Sequence, residues 1–162
     1  MIKNFKKEDG YLEEDFLHFG YDHIDTGLDL LKSGEPGQFD SAGTLIHLGI
    51  EQVFKAWHLH YFNIFSNTHN LIELTELLTK IELTEQFKGT LEMLDKYFLL
   101  RYPRRVEGPI EIGSDDIAKI EEFLDYLWGI TPNELIIKYK DINPYRKGGR
   151  VTMQRPVYEQ KE

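Results

Sequence analysis

The chain has 162 residues, of which 41% are hydrophobic and 13% aromatic, a composition typical of one globular domain with a sizeable core. It contains no cysteine, which excludes disulfides and thiolate metal sites. The absence of cysteine and of an apolar leader favours a cytoplasmic protein. No apolar run approaches the length of a bilayer span, so no membrane contact is expected.

The formal net charge of −9 is unevenly distributed. Residues 1–135 carry 12 Lys and Arg against 25 Asp and Glu, a balance of −13, whereas residues 136–162 carry 7 against 3, a balance of +4. An acidic body does not favour a broad surface for nucleic-acid phosphates. Contact with RNA is therefore not favoured, and it would have to use basic islands at Arg101–Arg105 or in the carboxyl-terminal tail.

Apolar residues recur at helical spacing in five segments, which are followed by a shorter helix predicted over 131–139. The five segments cover about 12–32, 41–62, 70–81, 84–102 and 114–128.

The boundaries of these helices have local signals. Asn70 and Glu73 resemble a capping pair, Thr84 and Ser114 are expected N-caps, and Pro103 ends the fourth helix. No strand alternation is long enough to build a sheet. The sequence therefore predicts an all-α antiparallel bundle of four to five helices over residues 1–139, followed by a basic, extended or poorly ordered tail over 140–162.

Polar residues of the second helix fall within an arc of about 80° on an otherwise apolar helix. They are Asp40, Thr44, His47, Glu51, Lys55 and His58. One interpretation is an ordinary solvent-facing side with an exposed Glu51–Lys55 pair. The other is a polar line that a central helix presents to a groove or to a partner subunit.

Arg101 continues the inward spacing of the fourth helix, after Leu91, Leu94 and Phe98. An arginine in that register needs an anionic partner. It would pair either with an acidic residue such as Glu51 or with the phosphate or carboxylate of a ligand. His69 lies at a helix start, where it would cap the helix or contact a ligand. The histidine spacing does not predict a metal site, and no cofactor-binding motif is present.

Three segments in chain order resemble the HEPN domain family, and the resemblance covers roughly residues 12–128. The segments are AGTLIHLGIEQVFKAWHLHY, THNLIEL and YFLLRYPRR. They contain the family's E-x-x-x-K-A, H-x-L and R-Y-P motifs, here Glu51, Lys55 and Ala56, then His69 and Leu71, then Arg101, Tyr102 and Pro103. The resemblance implies a helical bundle that is often a homodimer. Many members act with a minimal nucleotidyltransferase, as a toxin–antitoxin pair or as a nucleotide-binding partner.

Other HEPN members are ribonucleases that use an arginine followed four to six residues later by a histidine. No histidine follows Arg101 in this way. The first hypothesis is therefore a non-catalytic module that binds a nucleotide or a partner nucleotidyltransferase. Its expected ligand-binding residues are Glu51, Lys55, His69, Arg101, Tyr102 and Arg104.

Two alternatives stay open. The first is a metal-independent ribonuclease with an altered motif, in which Arg101 stabilises the phosphate and His69 or His47 replaces the missing histidine. The second is a purely structural dimeric interaction protein. No catalytic residue is assigned.

Overall fold

The computed structural model describes residues 3–99 and 111–142, the last two of these by their backbone alone. These residues form an all-α bundle with one small sheet, which confirms the predicted fold class. In chain order the elements are β1 Asn4–Lys6, α1 Glu13–Lys32, α2 Phe39–Phe62, β2 Ile64–Ser66, α3 Leu71–Glu76, α4 Glu85–Phe98, α5 Ile117–Ile130 and α6 Asn133–Ile142.

Helix α2 is the centre of the bundle because it is apolar around most of its circumference. Of its 24 residues, 14 are buried. Trp57 and Phe54 are among the largest fully buried side chains of the described residues. Phe54 meets Phe123 of α5 edge to face, with ring centroids 6.3 Å apart. Helices α1, α3 and α4 also pack on α2, so side chains from most of the bundle converge on it.

Helices α1 and α2 pack closely because glycines face each other across their interface. A Cβ added to Gly49 would lie 2.5 Å from the carbonyl oxygen of Gly20, and one added to Gly27 would lie 2.9 Å from that of Ala42. Contact positions rise along α1 as they fall along α2, so the two helices are antiparallel. The backbones therefore approach more closely than any larger side chain allows.

Helix α4 begins where the sequence predicts. The Thr84 hydroxyl accepts a hydrogen bond from the backbone N–H of Phe87 at 3.2 Å. The buried face of the helix differs slightly from the predicted stripe. Leu91 and Leu94 are buried as expected, but Phe87 and Phe98 are half-buried, while Tyr97 is fully buried.

Helix α3 is shorter than the predicted 70–81 and ends at Glu76. Leu78 and Ile81 are nevertheless buried, because two successive turns carry them into the core. The Thr75 hydroxyl donates to the carbonyl of Ile72 at 2.7 Å, a local bond that competes with continued helix. Apolar spacing alone does not distinguish such turns from a helix.

The prediction that Ser114 caps the fifth helix is wrong. Residues Ser114–Asp116 form a 3-10 turn that leads into α5. The Asp116 carboxylate accepts a hydrogen bond from the backbone N–H of Gly113 at 3.0 Å, and the Ser114 hydroxyl donates to the carbonyl of Leu31 at 3.4 Å. Ser114 therefore links this turn to the end of α1.

The sheet was not predicted. Strands β1 and β2 pair antiparallel, with Phe5 opposite Phe65, and the two rings stack with centroids 5.1 Å apart. Three residues per strand are too few to show the period-two pattern by which strands are recognised. The pairing of segments 60 residues apart depends on the tertiary fold.

The buried carboxylate of Glu13 joins three parts of the chain. Lys7 Nζ lies 2.6 Å from its Oε1, and Lys138 Nζ of α6 lies 3.2 Å from its Oε2. Burial by itself raises the pKa of the Glu13 carboxyl. Hydrogen bonds from Lys7, from the backbone and from Lys138, together with the charge of Lys138, lower it, and the net pKa lies below its ordinary value. The amino-terminal segment and α6 are thereby fixed to the start of α1.

Helix α6 extends to Ile142, three residues beyond the predicted end at Tyr139. The domain division at residue 139 stays a prediction, because residues 143–162 of the tail lie outside the described part of the chain. None of the helices described is both long enough and apolar enough to cross a bilayer.

Candidate functional site

The polar stripe of α2 is mostly buried, so its interpretation as a solvent-facing side is wrong for four of its six members. His47, Glu51, Lys55 and His58 are 2–6% exposed. Thr44 is half-buried, and Asp40 at the start of the helix is exposed. A central helix therefore places four titratable side chains inside the bundle, where each needs a polar partner.

Three of the predicted site residues meet around one oxygen atom. Glu51 Oε1 lies 2.8 Å from Lys55 Nζ and 2.7 Å from His69 Nδ1. Lys55 is on the next turn of α2, whereas His69 comes from the loop before α3. The E-x-x-x-K and H-x-L motifs are thus in direct contact, although 14 residues separate Lys55 from His69.

The charges of this cluster are compensated at short range. The side chains of Glu51 and Lys55 are only 4% and 7% exposed, so each would be strongly destabilised without the other. Lys55 Nζ also lies 5.6 Å from the centre of the Phe65 ring, a cation–π contact. Glu51 Oε2 is buried and has no hydrogen-bond partner among the described residues.

Asp95 of α4 is a site residue that the sequence analysis missed. Its Oδ1 accepts a hydrogen bond from the backbone N–H of Leu71 at 2.8 Å and lies 3.2 Å from His47 Nε2. It therefore joins the start of α3 to α2. Its spacing of four after Leu91 and three before Phe98 places it on the inward side of α4, and that signal was available in the sequence.

A cleft of about 430 Å³ opens beside this cluster. Its lining residues are Thr68, His69, Asn70, Glu73, Glu92, Asp95, Lys96, Phe98 and Leu99. The rings of His69 and Phe98 stack with centroids 4.6 Å apart and planes 19° apart. The His69 side chain is 33% exposed, so one edge of the buried cluster reaches the cleft.

The structure shows which groups His69, Asn70 and His58 contact around helix α3. His69 does not cap α3, because the Asn70 side chain accepts the hydrogen bond from the backbone N–H of Glu73 at 3.0 Å, as its motif predicts. His58 donates from Nε2 to the carbonyl of Leu74 at 2.7 Å and so joins α2 to α3. Burial lowers the pKa of the His58 ring, which favours its neutral form.

Arg101, Tyr102 and Arg104 lie outside the described residues. The predicted inward orientation of Arg101 and its pairing with Glu51 therefore stay predictions. Within residues 3–99 and 111–142, no three histidine or acidic side chains converge closely enough to hold a metal ion.

Comparison with known proteins gives no further assignment. The chain matches no protein-family model, no curated protein and no solved structure. The resemblance to HEPN domains therefore rests on the sequence motifs alone.

Proposed function

We propose that the chain is a HEPN-like binding module, without catalytic activity of its own, whose cleft takes a nucleotide. The observation that carries the proposal is the contact of Glu51, Lys55 and His69 at the edge of the cleft. These residues come from two of the three motifs of the resemblance. The third motif contributes Arg101 and Tyr102 as further ligand-binding residues, and Arg104 follows directly after it.

The aromatic wall of the cleft suits a nucleobase. The His69 ring is held in its orientation by the hydrogen bond with Glu51 and by stacking on the Phe98 ring. Little side-chain entropy is therefore lost when a base packs on it. Stacking of a base on an aromatic side chain contributes about 1–3 kcal/mol. The cleft volume of about 430 Å³ lies within the range of small-molecule sites.

Binding of the nucleotide's phosphate groups requires more positive charge than the described residues of the cleft provide. That lining contains Glu73, Glu92 and Asp95 but a single lysine, Lys96, so its own charge disfavours an anion. The sequence supplies three arginines within six residues after Leu99. We assign the phosphate groups to these arginines, because guanidinium groups bind phosphate oxygens in pairs.

A protein partner belongs to the same proposal. Through its HEPN resemblance we expect the chain to form a homodimer and to act with a nucleotidyltransferase, as many HEPN members do in toxin–antitoxin pairs. Such an enzyme would deliver or receive the nucleotide bound in the cleft. Co-expression with the nucleotidyltransferase encoded nearest to it, followed by co-purification, tests this part.

Calorimetric titration with ATP, GTP and inorganic tripolyphosphate tests nucleotide binding. We expect the nucleotides to bind more tightly than tripolyphosphate, because only they carry a base for the His69 ring. The double variant Arg101→Ala/Arg104→Ala should weaken nucleotide binding about tenfold or more. Lys88→Ala/Lys119→Ala removes two exposed lysines elsewhere and is the control of equal charge.

Two results would contradict the proposal. One is the absence of binding at millimolar nucleotide, both for the chain alone and with a nucleotidyltransferase. The other is an equal loss of affinity in the arginine and lysine variants, which would indicate general electrostatic attraction.

The geometry of His69 favours ribonuclease activity as the second candidate function. Its Nδ1 is engaged by Glu51, which leaves Nε2 for proton transfer, and His69 lines the cleft. His47 is a poorer candidate because it is 2% exposed and faces Asp95. Incubation with labelled RNA in EDTA tests this candidate. Cleavage that is lost in both His69→Ala and Arg101→Ala would support it, and intact RNA would exclude it.

A further inference from the structure

The loop that carries His69 consists of residues 67–70, between β2 and α3. All four residues are polar, and none of them is buried. Burial of apolar side chains therefore does not hold this loop in place, and its conformation depends on hydrogen bonds to neighbouring elements. The position of the His69 ring in the cleft follows from where the two ends of the loop are fixed.

Each end of the loop is attached to a different part of the chain. The backbone N–H of Asn67 donates to the carbonyl of Lys3 at 2.9 Å, and the backbone N–H of Lys3 donates to the Asn67 side chain at 3.1 Å. At the other end, the backbone N–H of Leu71 donates to Oδ1 of Asp95 at 2.8 Å. His69 lies midway between these two fixed points, two residues from each.

Asp95 is itself held in place from α2. Its Oδ1 lies 3.2 Å from Nε2 of His47, and the two side chains are 17% and 3% exposed. A carboxylate that is mostly covered and contacts a second side chain has little freedom to change its rotamer. Asp95 is therefore a firm acceptor for the Leu71 N–H.

The same two helices also hold the His69 ring directly. Helix α2 contributes Glu51, one turn after His47, and helix α4 contributes Phe98, three residues after Asp95 on the same face. Each helix thus provides one group that contacts the ring and one that fixes the loop. A shift of the loop relative to α4 would displace the His69 ring from both of its partners.

We propose that Asp95 is a positioning residue of the nucleotide cleft, which through the Leu71 N–H holds the His69 ring where a nucleobase stacks on it. A ring that is already fixed loses little side-chain entropy when a base binds, so loosening it lowers the affinity. The role in nucleobase binding rests on the proposed function. The effect of Asp95 on the position of His69 is measurable without a nucleotide.

The proton on His69 Nδ1 reports the position of the ring in the full chain. A carboxylate only accepts hydrogen bonds, so Nδ1 carries the proton that the Glu51 carboxylate accepts. Its exchange with water is measured by NMR, with the resonance assigned from a His69→Gln variant. We expect about tenfold faster exchange in Asp95→Ala, because the loop then opens more often. Asp125→Ala, which removes an exposed carboxylate of α5, should change the rate less than about twofold.

The isosteric substitution Asp95→Asn makes the test independent of how well the alanine variant folds. Asparagine keeps an oxygen that accepts from the Leu71 N–H, but a neutral acceptor forms a weaker hydrogen bond. We expect about threefold faster exchange for Asp95→Asn, with Asp125→Asn as its control. Nucleotide affinity from calorimetric titration should fall in the same order, about tenfold for Asp95→Ala and about threefold for Asp95→Asn.

The two measurements distinguish failure of this inference from failure of the proposed function. Exchange in the Asp95 variants that is no faster than in the Asp125 controls would overturn the inference, whether or not a nucleotide binds. Faster exchange with unchanged nucleotide affinity would also overturn it, since the position of His69 would then not matter for binding. If the unchanged chain binds no nucleotide but exchange is faster in Asp95→Ala, the proposed function is refuted and the positioning of His69 by Asp95 is supported.

Discussion

The substitution Lys55→Met tests whether the buried ion pair on α2 is energetically important. Methionine keeps the apolar stem but removes the charge, which leaves the Glu51 carboxylate 4% exposed with His69 as its remaining contact. Breaking a buried pair in this way costs about 3–5 kcal/mol. We expect about 3 kcal/mol, because the hydrogen bond from His69 offsets part of the loss. With a urea dependence of about 2 kcal/mol per molar, the unfolding midpoint should fall by about 1.5 M.

Two control variants distinguish the effect of the uncompensated buried charge on stability from the effect of lost packing. The double variant Glu51→Gln/Lys55→Met removes both charges and should regain at least half of the lost stability. Lys88→Met breaks the exposed pair with Glu92, which has the same i,i+4 spacing, and should cost less than about 0.5 kcal/mol. Urea unfolding followed by tryptophan fluorescence measures all three. If the double variant is as unstable as Lys55→Met, the uncompensated charge is not the cause.

Three further predictions concern the helix interface and the pH dependence of stability. Gly49→Ala should lower the free energy of unfolding in urea by about 1–3 kcal/mol, since its Cβ would meet the Gly20 carbonyl. The control Gly89→Ala adds a Cβ that meets no atom within 4 Å, so it should be neutral or stabilising by up to about 1 kcal/mol. Equal effects of the two substitutions would mean that α1 and α2 can separate freely. Because the pKa of Glu13 is lowered on folding, its ionised carboxylate contributes fully to stability above its ordinary pKa of 4.5, and this contribution is lost as the pH falls below that value. Glu13→Gln should therefore flatten the dependence of the unfolding free energy on pH below 4.5 and leave its shape unchanged above pH 6. The lowered pKa of His58 acts at higher pH. Between 6.5 and its lower folded pKa, the unfolded chain binds a proton at His58 that the folded chain does not, so the free energy of unfolding should decrease as the pH falls from 6.5. A His58→Gln variant with the same slope of stability against pH would contradict this.

The helices and several of their caps were predictable because the signals are local. Thr84 and Asn70 accept backbone hydrogen bonds three residues further on, a geometry that depends on no other element. The sheet and the end of α3 were not predictable in this way. Pairing of β1 with β2 and burial of Ile81 outside a helix depend on contacts with distant parts of the chain.

For the candidate site too, some features were predictable from the sequence and others depended on the tertiary structure. The motifs identified Glu51, Lys55 and His69 from the sequence, and helical spacing put Glu51 and Lys55 on one face. The sequence did not determine whether that face met water or protein, because an amphipathic pattern describes a helix and not its neighbours.

The amino-acid sequence by itself determined the helical architecture, its central apolar helix and the identity of the polar stripe, since spacing and caps act within a few residues. The tertiary structure alone decided that the stripe is buried, that His69 meets Glu51 and that Asp95 meets His47. The physical reason is that burial of a charge depends on which other elements pack over it. Here α3, the loop before it and α4 supply that cover.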